Sequence, residues 1–242
     1  VQKSTYLNIK KMKTIRTTMV FMLLSTFVAF SQGDGTKESL ALIKQNFEQS
    51  QINIKKYSWI ETATVYINGE QKSVEQNQCY YDVTGTLVKV PTAATTQPKE
   101  ERGIRGRIAD RKIDELKEYI TKAKTQVKAY IPPQSAKLEQ IYASGGMGIK
   151  ILDPGMKYEL DFPDYLKSGD LLSIVVNTSN KILMNYNIKT YMDTPSDAVT
   201  LDVAFQTLPD GTSYSGNVTF TAPSQNLKIV MVNSGYRLGS GQ

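Results

Sequence analysis

Any chemistry in this chain has to come from carboxylates, tyrosines, lysines and one thiol, because its 242 residues include no histidine. Without imidazole, the Ser/His/Asp triads, the Cys–His pairs and the imidazole metal sites are excluded. Cys79 has no partner base in view and reads as a buried, inert thiol; as the single cysteine it forms no intramolecular disulfide. Glu61 and Glu75 sit on one hairpin. A two-residue turn at Asn68 and Gly69 pairs Ile67 with Glu70, Val65 with Lys72, Ala63 with Val74, Trp59 with Gln78 and Tyr57 with Tyr80. That register puts the two carboxylates on opposite faces, which argues against an acid–base pair. Asp193, Asp197 and Asp202 do not have the spacing of a calcium loop and read as turn caps. Gly145 to Lys150 superficially resembles a phosphate loop. It lacks the Ser/Thr after lysine and runs from helix to strand, so it reads as a connector. No catalytic residue, metal ligand or cofactor is assigned, and the chain is expected not to be an enzyme; a hydrolase using carboxylates is the weakest of the alternatives.

The aromatics carry the positive signal. The expected register gathers Tyr57, Trp59, Val65, Val74 and Tyr80 on one face, a patch that either packs under a helix or lines an apolar cavity. The elements that position this patch are legible along the chain. The stretch from Gly155 to Tyr236 reads as an antiparallel meander of six strands with inward residues such as Val203, Phe205 and Phe220. Leu40, Ile43 and Phe47 mark an amphipathic helix over Lys37 to Gln51. A long helix follows from Ala109 to Tyr130, ended by Pro132 and Pro133, and then a short one from Ser135 to Ser144. The long helix and its approach are basic, with Arg107, Arg111 and Lys112 among the cations. Interleaved acids make a solvated face one reading and contact with anionic lipid head groups the other. Between Pro91 and Gly106 the pattern stops, as in a functional or disordered loop. Strands and helices do not alternate regularly, so the expected fold is α+β: a curved antiparallel sheet, an incomplete barrel, with helices packed on one face.

Residues 1–31 read as a leader. Met12 to Ser31 has a basic entry, an apolar run too short for a comfortable membrane span, and small residues at its end, the pattern of a secretory signal peptide. The leader holds Lys3, Lys10, Lys11, Lys13 and Arg16; twenty-nine basic residues less those five leaves 24 against 23 acids, so the basic balance gives no support for a nucleic-acid partner. The remaining residues, 32–242, suffice for a single well-cored domain, periplasmic or secreted.

An N-terminal helix, a long hairpin carrying Trp59 and Tyr80, Tyr81, Asp82, two helices and a meander together resemble the layout of the periplasmic outer-membrane lipoprotein carriers, the Lol-type half-barrel superfamily, and the related envelope-stress regulator domain. That resemblance implies an incomplete barrel lined by helices and holding acyl chains. Tyr165 to Asp170, Asp197 to Phe205 and Leu208 to Tyr214 are similar to a group of uncharacterised bacterial exported proteins, which implies no activity. No position matches the carriers' buried cargo-release arginine. The resulting expectation is an envelope protein binding an amphipathic or lipid-like ligand through Tyr57, Trp59, Val65, Val74, Tyr80, Val203, Phe205 and Phe220, with Arg107, Arg111 and Lys112 near its head group. A membrane surface or another envelope protein is the expected macromolecular partner. The rival from another class is a non-catalytic envelope scaffold or assembly protein whose core is filled by helix side chains.

Overall fold

The computed structural model describes residues 34–92 and 104–239, with side chains over 38–92 and 114–239. The expected leader and the 93–103 part of the expected loop lie outside the described residues; at the ends of that loop, Pro91 belongs to a strand and Ile104 begins a helix.

Among the described residues, ten strands form one sheet. They are β1 (Tyr57–Ile67), β2 (Glu70–Tyr81), β3 (Leu87–Pro91), β4 (Gly148–Asp153), β5 (Lys157–Pro163), β6 (Leu171–Asn177), β7 (Ile182–Tyr191), β8 (Ala198–Thr207), β9 (Ser213–Ala222) and β10 (Leu227–Leu238). Three α-helices accompany them: α1 (Asp34–Asn53), α2 (Ile104–Lys128) and α3 (Ser135–Ala143). Every neighbouring pair is antiparallel, in the order β3-β2-β1-β10-β9-β8-β7-β6-β5-β4. The sheet is not closed, and β3 and β4 are its edges. This is the expected α+β architecture.

Alternation in the strands decides which face is covered. Across β6 to β10 the row Leu172, Ile188, Leu201, Phe220, Ile229 runs through paired positions, so all five side chains share what we call the inner face. Onto it α2 lays Ala123 and Val127, Tyr130 follows just past the helix end, and α3 lays Ile141, all buried in one apolar cluster against that row. The spacing of four and three along α2 is what puts these residues on one stripe. The helix stops before Pro132 and Pro133 because the residue ahead of a proline is driven out of α geometry. α1 packs across β7 and β9 at the other end of the strands, where Phe47 meets Phe205 edge-on at 5.4 Å.

Hairpin β1–β2 turns at Asn68 and Gly69 with φ of 54° and 79°, as a type I′ turn requires. The expected register does not survive beyond it. A bulge at Lys72 shifts β2, so Val65 faces Ser73, Thr64 faces Val74, Ala63 faces Glu75, Trp59 faces Cys79 and Ser58 faces Tyr80. One inserted residue turns every later side chain over. Val74 and Tyr80 therefore lie on the outer face, away from Trp59, and Tyr80 is 39% exposed. Glu75, Asn77 and Cys79 take their place inside, which also corrects the expectation that Glu61 and Glu75 lie on opposite faces.

Candidate ligand-binding site

The inner face divides into regions of different character. Under α2 it is filled: Val203 and Phe220 are buried there, and Val65 is half-buried against the same cluster. Two hydrogen-bonded nodes fix the helix over it. Tyr119 donates to Asp197 at 2.8 Å, and Ser224 donates to the same oxygen, so one carboxylate joins α2 to the β7–β8 and β9–β10 connections. Burial pushes the Tyr119 hydroxyl up to about 12, with the Asp197 carboxylate adding to the shift. Past the end of α2, Tyr130 lies 2.5 Å from Asp170 Oδ2 and 2.8 Å from Thr190 Oγ1. With one proton to give, Tyr130 donates to the carboxylate, and the Thr190 hydroxyl donates to Tyr130. Backbone N–H groups of Leu166 and Lys167 donate to the same Asp170 oxygen. Burial first, and Asp170 second, raise the Tyr130 hydroxyl far above the ordinary tyrosine range.

At the α1 end the packing opens. A cleft of about 530 Å³ lies between α1, the start of β7 and the β8–β9 turn. Ile43, Phe47, Ile182 and Leu183 supply apolar lining, and Asn46, Lys181 and Asp210 are among its polar groups. The helix is held across it by hydrogen bonds: Asn46 Nδ2 donates to the Lys181 carbonyl at 3.1 Å, and the Ser213 N–H donates to Ser50 Oγ at 2.9 Å. Phe205 borders this region through its contact with Phe47.

Beside the cleft, the inner face of β1, β2 and β10 is aromatic and polar. Tyr57 donates to Asp210 at 2.7 Å, which raises the tyrosine and lowers the aspartate from their ordinary ranges. Trp59, 8% exposed, stacks on Tyr236 at 5.5 Å, touches Tyr81 at 5.9 Å, and donates its indole N–H to Asn233 at 3.1 Å. Tyr57 and Tyr214 also meet Tyr236. Cys79 is wholly buried, as expected; burial, then the Glu61 charge, push its thiol up. Glu61 follows Trp59 on the inner face and pairs with Lys89 of β3 at 2.5 Å. Asn77, directly opposite Glu61, is 5% exposed and donates to Glu75 at 2.9 Å.

The expected ligand-binding residues are thus scattered. Tyr57 and Trp59 lie in the aromatic cluster, Phe205 borders the cleft, Val65, Val203 and Phe220 are under α2, and Val74 and Tyr80 face outward. Arg107, Arg111 and Lys112 belong to α2, but their side chains lie outside the described residues. The cleft was not legible beforehand because its lining is drawn from α1 and from strand ends far apart in sequence. Among the described residues no cluster of Cys, Asp and Glu could hold a metal ion, and no helix is long and apolar enough to cross a membrane.

No family model matches the chain, and no curated protein matches it in sequence. Among solved structures it is similar to a DUF1329 family protein from Desulfovibrio piger, at 10% identity and a TM-score of 0.39, over 87% of this chain and 95% of that one. It is also similar to a LolA superfamily protein from Nitrosomonas europaea, at 9% identity and a TM-score of 0.36, over 83% of this chain and 94% of that one.

Proposed function

We propose that the chain is an exported, periplasmic, non-catalytic binding protein for an amphipathic, lipid-like molecule, which lodges between α1 and the sheet. The observation that carries this reading is the cleft, whose lining is apolar at Phe47 and Leu183 and polar at Asn46 and Lys181. Its volume falls in the range of about 300–1,000 Å³ common to small-molecule sites. The filled region under α2 favours the second reading, an envelope scaffold, for that part of the molecule only.

The test is mass spectrometry of an organic extract from protein purified natively from a bacterial envelope fraction, set against a mock purification. A stoichiometric lipid is the expected result and names the cargo class. A clean extract, repeated after incubation of the folded protein with lipids, overturns the binding reading and leaves the scaffold in its place.

A further inference from the structure

The inner face breaks its own apolar rule along one row. Opposite one another stand Pro91, Asn77, Glu61 and Asn233, from β3, β2, β1 and β10; two positions on, β1 returns to Ala63 and then Val65, while β2 stays polar with Glu75 and Ser73 opposite them. The Glu61 side chain is 13% exposed, and a carboxylate so placed is costly without a counter-charge. That charge comes from Lys89 on the free edge strand, which reaches across β2 to Glu61 and keeps 42% of its side chain exposed. Holding a long lysine stem in one geometry costs rotamer entropy. The acid is therefore fixed and the cation exchangeable. Trp59 is two residues before Glu61 on the same face, stacked on Tyr236 and touching Tyr81. The faces of these rings are taken up by one another, so what the cluster offers the carboxylate is a low-dielectric flank that strengthens its pairing with a cation. The patch adjoins the cleft through Tyr57, which bonds Asp210 of the cleft lining and meets Tyr236.

We infer that this row is the head-group end of the site and takes a zwitterionic, ammonium-bearing head. The ammonium replaces Lys89 at Glu61, and the released Lys89 pairs with the anionic part of the head. This inference rests on the binding reading above and names the class of ligand that reading leaves open.

Trp59 is the one tryptophan of the chain, so its emission reports binding at the row itself. Dodecyl phosphoethanolamine, dodecyl phosphate and dodecanol, each below its micelle or solubility limit, share one tail and differ in head. The expected result is half-saturation at about tenfold lower concentration for the ethanolamine head, and loss of that preference in Glu61→Gln. Lys89→Met, at the half-exposed partner, is expected to weaken dodecyl phosphate about fivefold and to leave dodecanol unchanged. Thermal unfolding of each variant establishes that it is folded. Equal half-saturation for all three heads, or a preference that survives Glu61→Gln, overturns the head-group assignment while the cleft remains a binding site. No response and no displacement of an apolar dye by any probe overturns both.

Discussion

Replacing Tyr130 by phenylalanine removes one hydroxyl from the node that fastens the end of α2, and leaves the ring. Tyr130 is wholly buried, and its hydroxyl donates to a carboxylate that is itself only 2% exposed. A hydrogen bond to a charged group contributes about 1.5–3 kcal/mol, and an abandoned buried acceptor loses more than an exposed one. Asp170 keeps the Leu166 and Lys167 N–H groups on Oδ2, each at 3.0 Å, so its charge is not stripped of donors. Its other oxygen, Oδ1, has no hydrogen-bond partner with which to compensate. Thr190 loses its partner as well. The sum is a destabilisation of about 2–3 kcal/mol. For a domain of this size that is a fall in Tm of roughly 5–10 °C. Urea unfolding of Tyr130→Phe against the parent, followed by circular dichroism, should move the midpoint and leave the slope unchanged. A loss below about 0.5 kcal/mol would refute the claim that this node holds the helix end.

Three further outcomes are expected. Trp59→Ala should cost about 3–5 kcal/mol in chemical denaturation, because the indole is buried between Tyr236 and Tyr81; a loss under 1 kcal/mol would place it at an open surface. Gly69→Ala meets no neighbouring atom but forces φ near +79° on a side chain, so a loss of about 1 kcal/mol should appear in the unfolding midpoint, and none would show that the turn rearranges. Asp161 is pushed up by burial but held net below its ordinary range by Lys150 and Ser173, and Asp210 is held below its range by Tyr57. Depressed carboxylates contribute stability that is present above about pH 4 and lost as pH falls through their folded values, so Tm measured from pH 7 to 2 should stay level to about 5 and then drop. A drop beginning near neutrality would contradict this.

Strand β1, its Asn-Gly turn and the whole of β7 could be read from sequence with their observed ends, because alternation and a turn of defined φ are local properties. The stripe of α2 was equally legible from Ala123 and Val127, although the expected helix ran on to Tyr130, two residues past its end at Lys128. The Lys72 bulge was not, since an inserted residue leaves no compositional mark, and it alone moved Val74 and Tyr80 to the outer face. Nodes such as Tyr130 with Asp170, and the pairing of Lys89 with Glu61, depend on which strands become neighbours. Alternation says which way a side chain points within its strand, and nothing about whose side chain it will meet.

The position of β1 between β2 and β10, with Tyr57 opposite Leu238, bears on how the molecule is made. Synthesis delivers the hairpin well before its second neighbour, with β3 to β9 between them. Until Leu227–Leu238 arrives, the side of β1 that will be interior is an unpaired edge, open to mispairing, and so distant a pairing raises the contact order that slows folding. Loss of the final strand consequently does more than trim a margin. It parts the sheet into a three-stranded piece and a six-stranded piece with no backbone ladder between them.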